Sequence, residues 1–248
     1  MEHTERVEIA KKILGRIKKK YGSKIVAGGI YGSVARNEDT EMSDIDLILI
    51  TENDAGNIEN GFLYKDIPVS YWSMEVEEAK QTVRNPDFGW PWKVNSLVNF
   101  DVVIGDSSFP EGLSEEIEEI PMEKFRKAVR DHLTNIYEYY YKIQKYHRKG
   151  EFNNLLFAVW DCLNGLLGSV ALLNRKYFIR NDFYRFKESF GFEETPEDYE
   201  KLVGRCYSSK DPEEITKAFN ELFQNFEKFL KDHGVSIQNY SDLDDVEL

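Results

Sequence analysis

The hydrophobic pattern changes character near the middle of the chain, and this change constrains the fold more than any other feature. Before residue 105, short apolar runs of strand type alternate with helical segments. An acidic, proline-flanked stretch, Asp106–Pro121, follows, and the pattern beyond it is helical throughout. The sequence therefore predicts an α+β fold, with a mixed-sheet domain at residues 1–120 and an all-helical bundle domain at residues 121–248.

The predicted elements follow the two patterns. In the first domain they are a helix at Val7–Lys20, strands at Lys24–Tyr31, Ile45–Ile50, Gly61–Ser73 and Leu97–Ile104, and a helix at Met74–Arg84. In the second they are helices at Met122–Lys149, Phe152–Asn174, Pro196–Tyr207 and Pro212–His233. Pro68 lies inside the third predicted strand, which indicates an edge strand or a bulge.

Composition limits the partners that the chain can have. Its 45 acidic and 32 basic residues give a formal net charge of −13, which disfavours non-specific adhesion to nucleic acid or an anionic membrane. An acidic chain is compatible with a cationic substrate. No apolar signal region follows the charged N-terminus, and polar residues interrupt the apolar stretch Leu155–Leu173. We therefore expect a soluble, cytoplasmic protein without a membrane segment.

Two aspartates, Asp44 and Asp46, open the continuous apolar run Ile45–Ile50, which is typical of a buried central strand. Residues two apart in a strand point to the same face, so we expect both carboxylates on one side of the sheet. Two close negative charges raise each other's pKa unless a cation lies between them. Mg²⁺ binds a few carboxylates together with substrate phosphate oxygens. We predict Asp44 and Asp46 as metal ligands and catalytic residues.

Gly32 and Ser33 follow the predicted strand Lys24–Tyr31, where a short helix can begin. A glycine lets a phosphate approach the backbone closely, and amide and hydroxyl groups hold it. Arg36 can reach the same phosphates. Gly-Ser and Asp-x-Asp are each common, and alone they also describe a turn serine and two surface aspartates. In this order, with Asp44 eleven positions after Ser33, they predict metal-assisted transfer of a nucleotidyl group.

The segment Tyr31-Gly32-Ser33-x-x-Arg36, followed by Ser43-Asp44-Ile45-Asp46, resembles the nucleotidyltransferase superfamily that includes DNA polymerase β. Within it, the chain most resembles the kanamycin nucleotidyltransferase-like proteins, over nearly its full length. The resemblance implies that Gly32, Ser33, Arg36 and Ser43 bind the nucleotide. It also implies a homodimer in which both subunits complete each cleft.

Glu138 and Lys142 lie four residues apart in a predicted helix and therefore share a face. Spacing alone favours a surface ion pair. Ile136-Tyr137-Glu138-Tyr139-x-x-Lys142 also resembles the family's helix that carries a proposed general base and a triphosphate-binding lysine. The resemblance therefore implies Glu138 as the catalytic base and Lys142 as a nucleotide-binding residue.

One position departs from the superfamily pattern. Members usually supply a third carboxylate from the strand after Asp46, and the matching position here is Pro68. Asp66 and Ser70 lie two residues to either side. Asp66 is a candidate third metal ligand; the alternatives are that it is a turn residue before the strand, or that two carboxylates suffice.

These observations predict a Mg²⁺-dependent enzyme that moves a nucleoside monophosphate group from a nucleoside triphosphate, ATP above others, to a hydroxyl. The acceptor is expected to be a small molecule, with an aminoglycoside-like polycation as one possibility, and pyrophosphate is released. The alternative is a catalytically silent nucleotide-binding module with a regulatory or antitoxin-like role, which the missing carboxylate permits.

Overall fold

The computed structural model describes residues 1–181, 183–240, 242 and 244. The last four residues of the predicted second domain, 245–248, therefore lie outside the described residues. The chain divides into two compact units. The first, which we call the sheet unit, comprises Met1–Pro86 and Trp92–Ile120, and the second, the helical unit, comprises Asp87–Pro91 and Pro121–Leu248.

The sheet unit is built on five strands in the order β3-β4-β2-β1-β5. The β2 and β4 strands are parallel, and the other neighbouring pairs are antiparallel, so the sheet is mixed as predicted. The elements of this unit are, in chain order, α1 His3–Tyr21, β1 Ile25–Tyr31, α2 Gly32–Ala35, β2 Ile45–Thr51, β3 Asn60–Tyr64, β4 Ile67–Glu75, α3 Val76–Arg84, α4 Trp90–Lys93, which starts in the helical unit, α5 Asn95–Val98, β5 Asp101–Gly105 and α6 Phe109–Glu118.

The central strand β2 is buried on both faces beyond Asp46, which lies near its start. Leu47 and Leu49 belong to the buried cluster that also contains Ala10 and Leu14 of α1. Since successive side chains alternate between the faces of a sheet, Asp46 lies on the face opposite to that cluster. The apolar run of β2 thus fixes the side from which the acidic side chain projects.

Several predictions about this unit were wrong in detail, among them the start of the last strand, since Leu97 and Val98 belong to α5 and β5 begins at Asp101. The single strand expected at Gly61–Ser73 is a hairpin, because Lys65 and Asp66 adopt the left-handed conformation, with φ of 52° and 64°, and reverse the chain. Pro68 lies in the interior strand β4, just before pairing with β2 begins at Val69, so its missing N–H interrupts no bond to β2. The acidic stretch Asp106–Pro121, for which no helix was predicted, contains α6, which has a proline in its first turn.

The described residues of the helical unit form long helices around an aromatic interior. The helices are α7 Met122–Lys149, α8 Phe152–Leu173, α9 Tyr184–Phe190, α10 Tyr199–Ser208 and α11 Pro212–Asp232. The helix α9 was not predicted and lies between the predicted helices Phe152–Asn174 and Pro196–Tyr207. Phe125, Phe186, Phe219 and Phe226 are fully buried. The bounds of α7 match the predicted ones.

The helix α8 is long and apolar enough, by length and composition, to cross a membrane. However, 72% of its most apolar 18-residue window is buried inside the protein. A core helix of a soluble protein passes the same test, so α8 is weak evidence for a membrane span.

Candidate active site

Asp46 lies at the centre of the candidate site because of its position in the sheet. It pairs with Tyr31 of β1 on one side and with Ser70 of β4 on the other. The Ser70 hydroxyl donates a hydrogen bond of 3.0 Å to Oδ1 of Asp46. Ladder pairing on both sides and this hydrogen bond hold the half-buried carboxylate in place.

Asp44 is exposed and precedes β2 by one residue. Burial raises the pKa of Asp46, the negative charge of Asp44 raises it further, and the Ser70 hydrogen bond opposes both. The charge of Asp44 thus disfavours ionisation of Asp46. A divalent cation would offset this effect, so the hard-oxygen donor set fits Mg²⁺ completed by substrate oxygens.

Gly32 brings the backbone after β1 against this carboxylate. Its φ is +75°, which side-chain-bearing residues rarely adopt, and a Cβ there would lie 3.1 Å from Oδ2 of Asp46. Ser33 follows in the first turn of α2, where backbone N–H groups lack helical partners. The sequence-predicted residues Gly32, Ser33 and Asp46 are therefore neighbours in the structure.

The loop between α2 and β2 holds two further predicted nucleotide ligands. Nε of Arg36 donates to Oε2 of Glu38 at 2.9 Å, so this guanidinium is paired with a carboxylate of its own loop. The Ser43 hydroxyl accepts a 2.9 Å hydrogen bond from the backbone N–H of Thr40. In this structure both side chains therefore support the loop.

The third-carboxylate position requires a correction. The residue level with Asp46 on β4 is Ser70 rather than Pro68. Asp66 lies in the β3–β4 turn, four residues before Ser70, which is about 13 Å along an extended strand. The structure therefore does not bring Asp66 to the aspartate pair. Among the described residues, no group of three or more His, Cys, Asp and Glu side chains is placed to hold a metal ion.

Glu138 and Lys142 lie on α7 in the helical unit. Their side chains form an ion pair of 2.8 Å between Nζ and Oε1, with 35% of the lysine and 61% of the glutamate side chain exposed. The hydrogen bond to Glu138 raises the pKa of Lys142. The i, i+4 spacing thus forms the surface ion pair that spacing alone favoured.

Sequence reasoning assigned no role to two neighbours of Asp46. Ser70 carried no motif signal, since only the register of β2 against β4 reveals its position. Tyr31, next to Gly32, accepts a 3.0 Å hydrogen bond from Nε1 of Trp72. Burial raises the pKa of Tyr31, and the nearby carboxylates raise it further, Asp46 more than Asp44. The Tyr31 side chain is therefore an uncharged phenol beside the acidic pair.

Comparison with protein families decides the assignment. The model described as nucleotidyltransferase domain matches residues 10–157, and the model described as KNTase C-terminal domain matches residues 107–236, each more than half of the chain. The chain belongs to the nucleotidyltransferase family. The second model places this nucleotidyltransferase in the kanamycin type and confirms the resemblance read from the sequence.

A solved structure supports the same fold. The chain is similar to a nucleotidyltransferase-like protein from Exiguobacterium sibiricum 255-15, with a TM-score of 0.55 and 12% identity, over 92% of this chain and 77% of that one. At this identity the likeness supports the fold alone. No curated protein matches the chain. The predicted α+β fold and the predicted enzyme class, a transferase of nucleoside monophosphate groups, are confirmed.

Proposed function

We propose that this nucleotidyltransferase is Mg²⁺-dependent and moves a nucleoside monophosphate from ATP, or another nucleoside triphosphate, to a hydroxyl of a small acceptor. The proposal rests chiefly on one observation: the half-buried carboxylate of Asp46, two residues after Asp44, lies against the backbone of Gly32. Asp44 and Asp46 would hold the metal. When bound, Mg²⁺ supplies neutralisation of phosphate charge and orientation of the triphosphate.

The chain's own residues take the remaining roles. The backbone at Gly32 and the hydroxyl of Ser33 hold phosphate oxygens, and Arg36 and Ser43 adjoin them on the loop. The acceptor oxygen attacks the α-phosphorus, its proton passes to the carboxylate of Glu138, and the bond to the β-phosphate breaks with release of pyrophosphate. Lys142 neutralises phosphate charge.

The net charge of −13 favours a cationic acceptor, and an aminoglycoside-like polycation is the acceptor class that we propose. The same charge argues against a nucleic-acid acceptor. By family resemblance we further propose a cytoplasmic homodimer in which both subunits complete each cleft.

The direct test is incubation with labelled ATP, Mg²⁺ and a panel of acceptors that includes aminoglycosides and neutral polyols. We expect pyrophosphate release only with a hydroxylated, cationic acceptor. Asp44→Asn/Asp46→Asn serves as the reference for background hydrolysis. Equal turnover by this variant and the wild type would refute the proposed mechanism.

One observation favours a second candidate, a catalytically silent nucleotide-binding module. The strand β4 places Ser70, and not a carboxylate, level with Asp46. Thermal shift and turnover separate the two functions, since nucleotide would stabilise either protein but only the enzyme would release pyrophosphate.

A further inference from the structure

We infer that Arg6 is a positioning residue for Asp44, and that it acts through the loop that connects α2 to β2. We call this loop, residues 36–43, the approach loop. The inference rests on the proposed function, because it concerns how one of the two proposed metal ligands is held.

The two aspartates are supported very differently. Asp46 lies within β2, is paired on both sides and accepts the Ser70 hydrogen bond. Asp44 lies outside β2, and within the described part of the chain its carboxylate takes part in no hydrogen bond. Its direction therefore depends on the backbone that leads into it, which is the approach loop.

Arg6 of α1 binds this loop at three points. Its guanidinium donates to the backbone oxygen of Ser43 at 3.3 Å, to the backbone oxygen of Glu41 at 2.9 Å and to Oδ2 of Asp39 at 3.1 Å. A planar guanidinium with five N–H donors is the side chain suited to several acceptors in fixed directions. Since Ser43 directly precedes Asp44, the first bond fixes the peptide from which Asp44 projects.

The Arg6–Asp39 pair is deeply buried, with 1% of each side chain exposed. The second oxygen of Asp39, Oδ1, lies 2.6 Å from Nδ1 of His3, so both carboxylate oxygens have partners. A buried ion pair gives little net stability over apolar residues of similar volume, because both charges lose their hydration. Here the pair fixes the position of the approach loop against α1, and so the direction of the backbone that leads into Asp44.

The test measures metal binding in the absence of turnover. Mn²⁺ is titrated into the protein and followed by the EPR signal of the free ion, for the wild type, Asp44→Asn, Arg6→Lys and Arg6→Met/Asp39→Leu. The double variant removes both buried charges together. The lysine keeps one charge but cannot reach three acceptors in the same directions. Arg84→Met, which removes the Arg84–Glu116 ion pair of the same unit, is the matched control.

We expect Mn²⁺ affinity to fall about 10–100-fold in both Arg6 variants, as when other outer supports of metal ligands are removed. Amide hydrogen exchange across residues 39–44 should accelerate while exchange in β2 stays slow. The Arg84→Met control should match the wild type. The lysine variant keeps the test valid if the double variant does not fold.

Two results would overturn the inference. If Asp44→Asn loses Mn²⁺ but both folded Arg6 variants bind it like the wild type, Arg6 does not position Asp44, and the proposed function stands. If the wild type itself binds no Mn²⁺, or Asp44→Asn binds it equally well, the proposed metal site fails and this inference fails with it.

Discussion

The two units present their candidate functional residues in opposite ways. In the sheet unit, Asp46 is half-buried, fixed by strand pairing on both sides, and has a raised pKa. In the helical unit, Glu138 and Lys142 lie on a partly exposed helix face and pair with each other. Holding like charges in fixed positions costs folding free energy, whereas an exposed ion pair does not. Such a cost is typical of functional sites, so the sheet unit is the stronger candidate for the chemistry.

The buried interiors of the two units also differ. The largest fully buried side chains of the sheet unit are mostly aliphatic, such as Ile45 and Leu47, whereas those of the helical unit are aromatic, such as Phe219 and Phe226. The sheet is buried on both faces along β2, since Ile48 and Ile50 on the Asp46 face are as buried as Leu47 and Leu49, and the site lies where this strand begins. A helical bundle buries its apolar side chains in a central core, so its candidate functional residues lie on its surface.

The largest effect should come from the aspartate pair. Asp44→Asn or Asp46→Asn should reduce pyrophosphate release about 1000-fold or more, equivalent to about 4 kcal/mol of barrier, because a ligand of the proposed metal is lost. Asp66→Asn, in the β3–β4 turn, should retain activity within about twofold. A large loss at Asp66 would show that the turn closes on the site.

The aromatic interior of the helical unit should dominate its stability. Phe226→Ala should cost about 3–5 kcal/mol of unfolding free energy, since it leaves a cavity among buried rings. Phe157→Ala, on a side chain that is 72% exposed, is the control and should cost less than about 0.5 kcal/mol. Urea denaturation followed by far-ultraviolet circular dichroism measures both. Equal effects would contradict the described packing.

The exposed pair on α7 should affect catalysis without affecting stability. Glu138→Gln should lower kcat about 100-fold, as expected for loss of a general base, with the melting temperature unchanged. Glu123→Gln, which breaks ion pairs to Arg126 and Arg130 on the same helix, should leave both quantities unchanged. If the two variants behave alike, Glu138 is a surface residue, and the chemistry belongs to the sheet unit alone.

Gly32→Ala combines strain with a contact to the site. A side chain at φ +75° should cost about 1–2 kcal/mol of stability, and its Cβ would press on Asp46. Gly22→Ala also places a side chain at a positive φ, +61°, but has nothing within 4 Å. We expect similar melting temperatures for the two variants and an activity loss only in Gly32→Ala. Loss in both would indicate a general effect of strain.

The smallest effect is a gain in stability. Folding raises the pKa of Asp46, so its protonated form is favoured in the folded state, and stability falls as pH rises from the unfolded-state pKa to the folded one. At neutral pH, Asp46→Asn should therefore stabilise the metal-free protein by up to about 1 kcal/mol. Thermal melting with and without Mg²⁺ tests this. Mg²⁺ should stabilise only the wild type.

How far the sequence predicted this molecule depends on the range of the interactions. The apolar run of β2 and the helical period of α7 are local, and both elements were predicted close to their observed bounds. The Gly32-Ser33 and Asp44/Asp46 pattern is nearly local, and it identified the residues that the structure gathers around Asp46.

What was missed depends on pairing between distant segments. Ser70 reaches Asp46 only through the register of β4 against β2, and Arg6 reaches Asp39 across 33 residues. The hairpin turn at Lys65–Asp66 was missed because Asp66 is its only turn-type residue and no glycine stands beside it. Local patterns contain no information about which strands become neighbours.

The claim that Asp44 and Asp46 jointly hold a divalent cation is tested most directly by Mn²⁺ titration in the presence of a non-hydrolysable nucleoside triphosphate. EPR of free Mn²⁺ reports the number of ions bound to the wild type, Asp44→Asn and Asp46→Asn. The account predicts saturable binding by the wild type that is at least about tenfold weaker in each variant. Binding of the same strength and stoichiometry in all three proteins would contradict it.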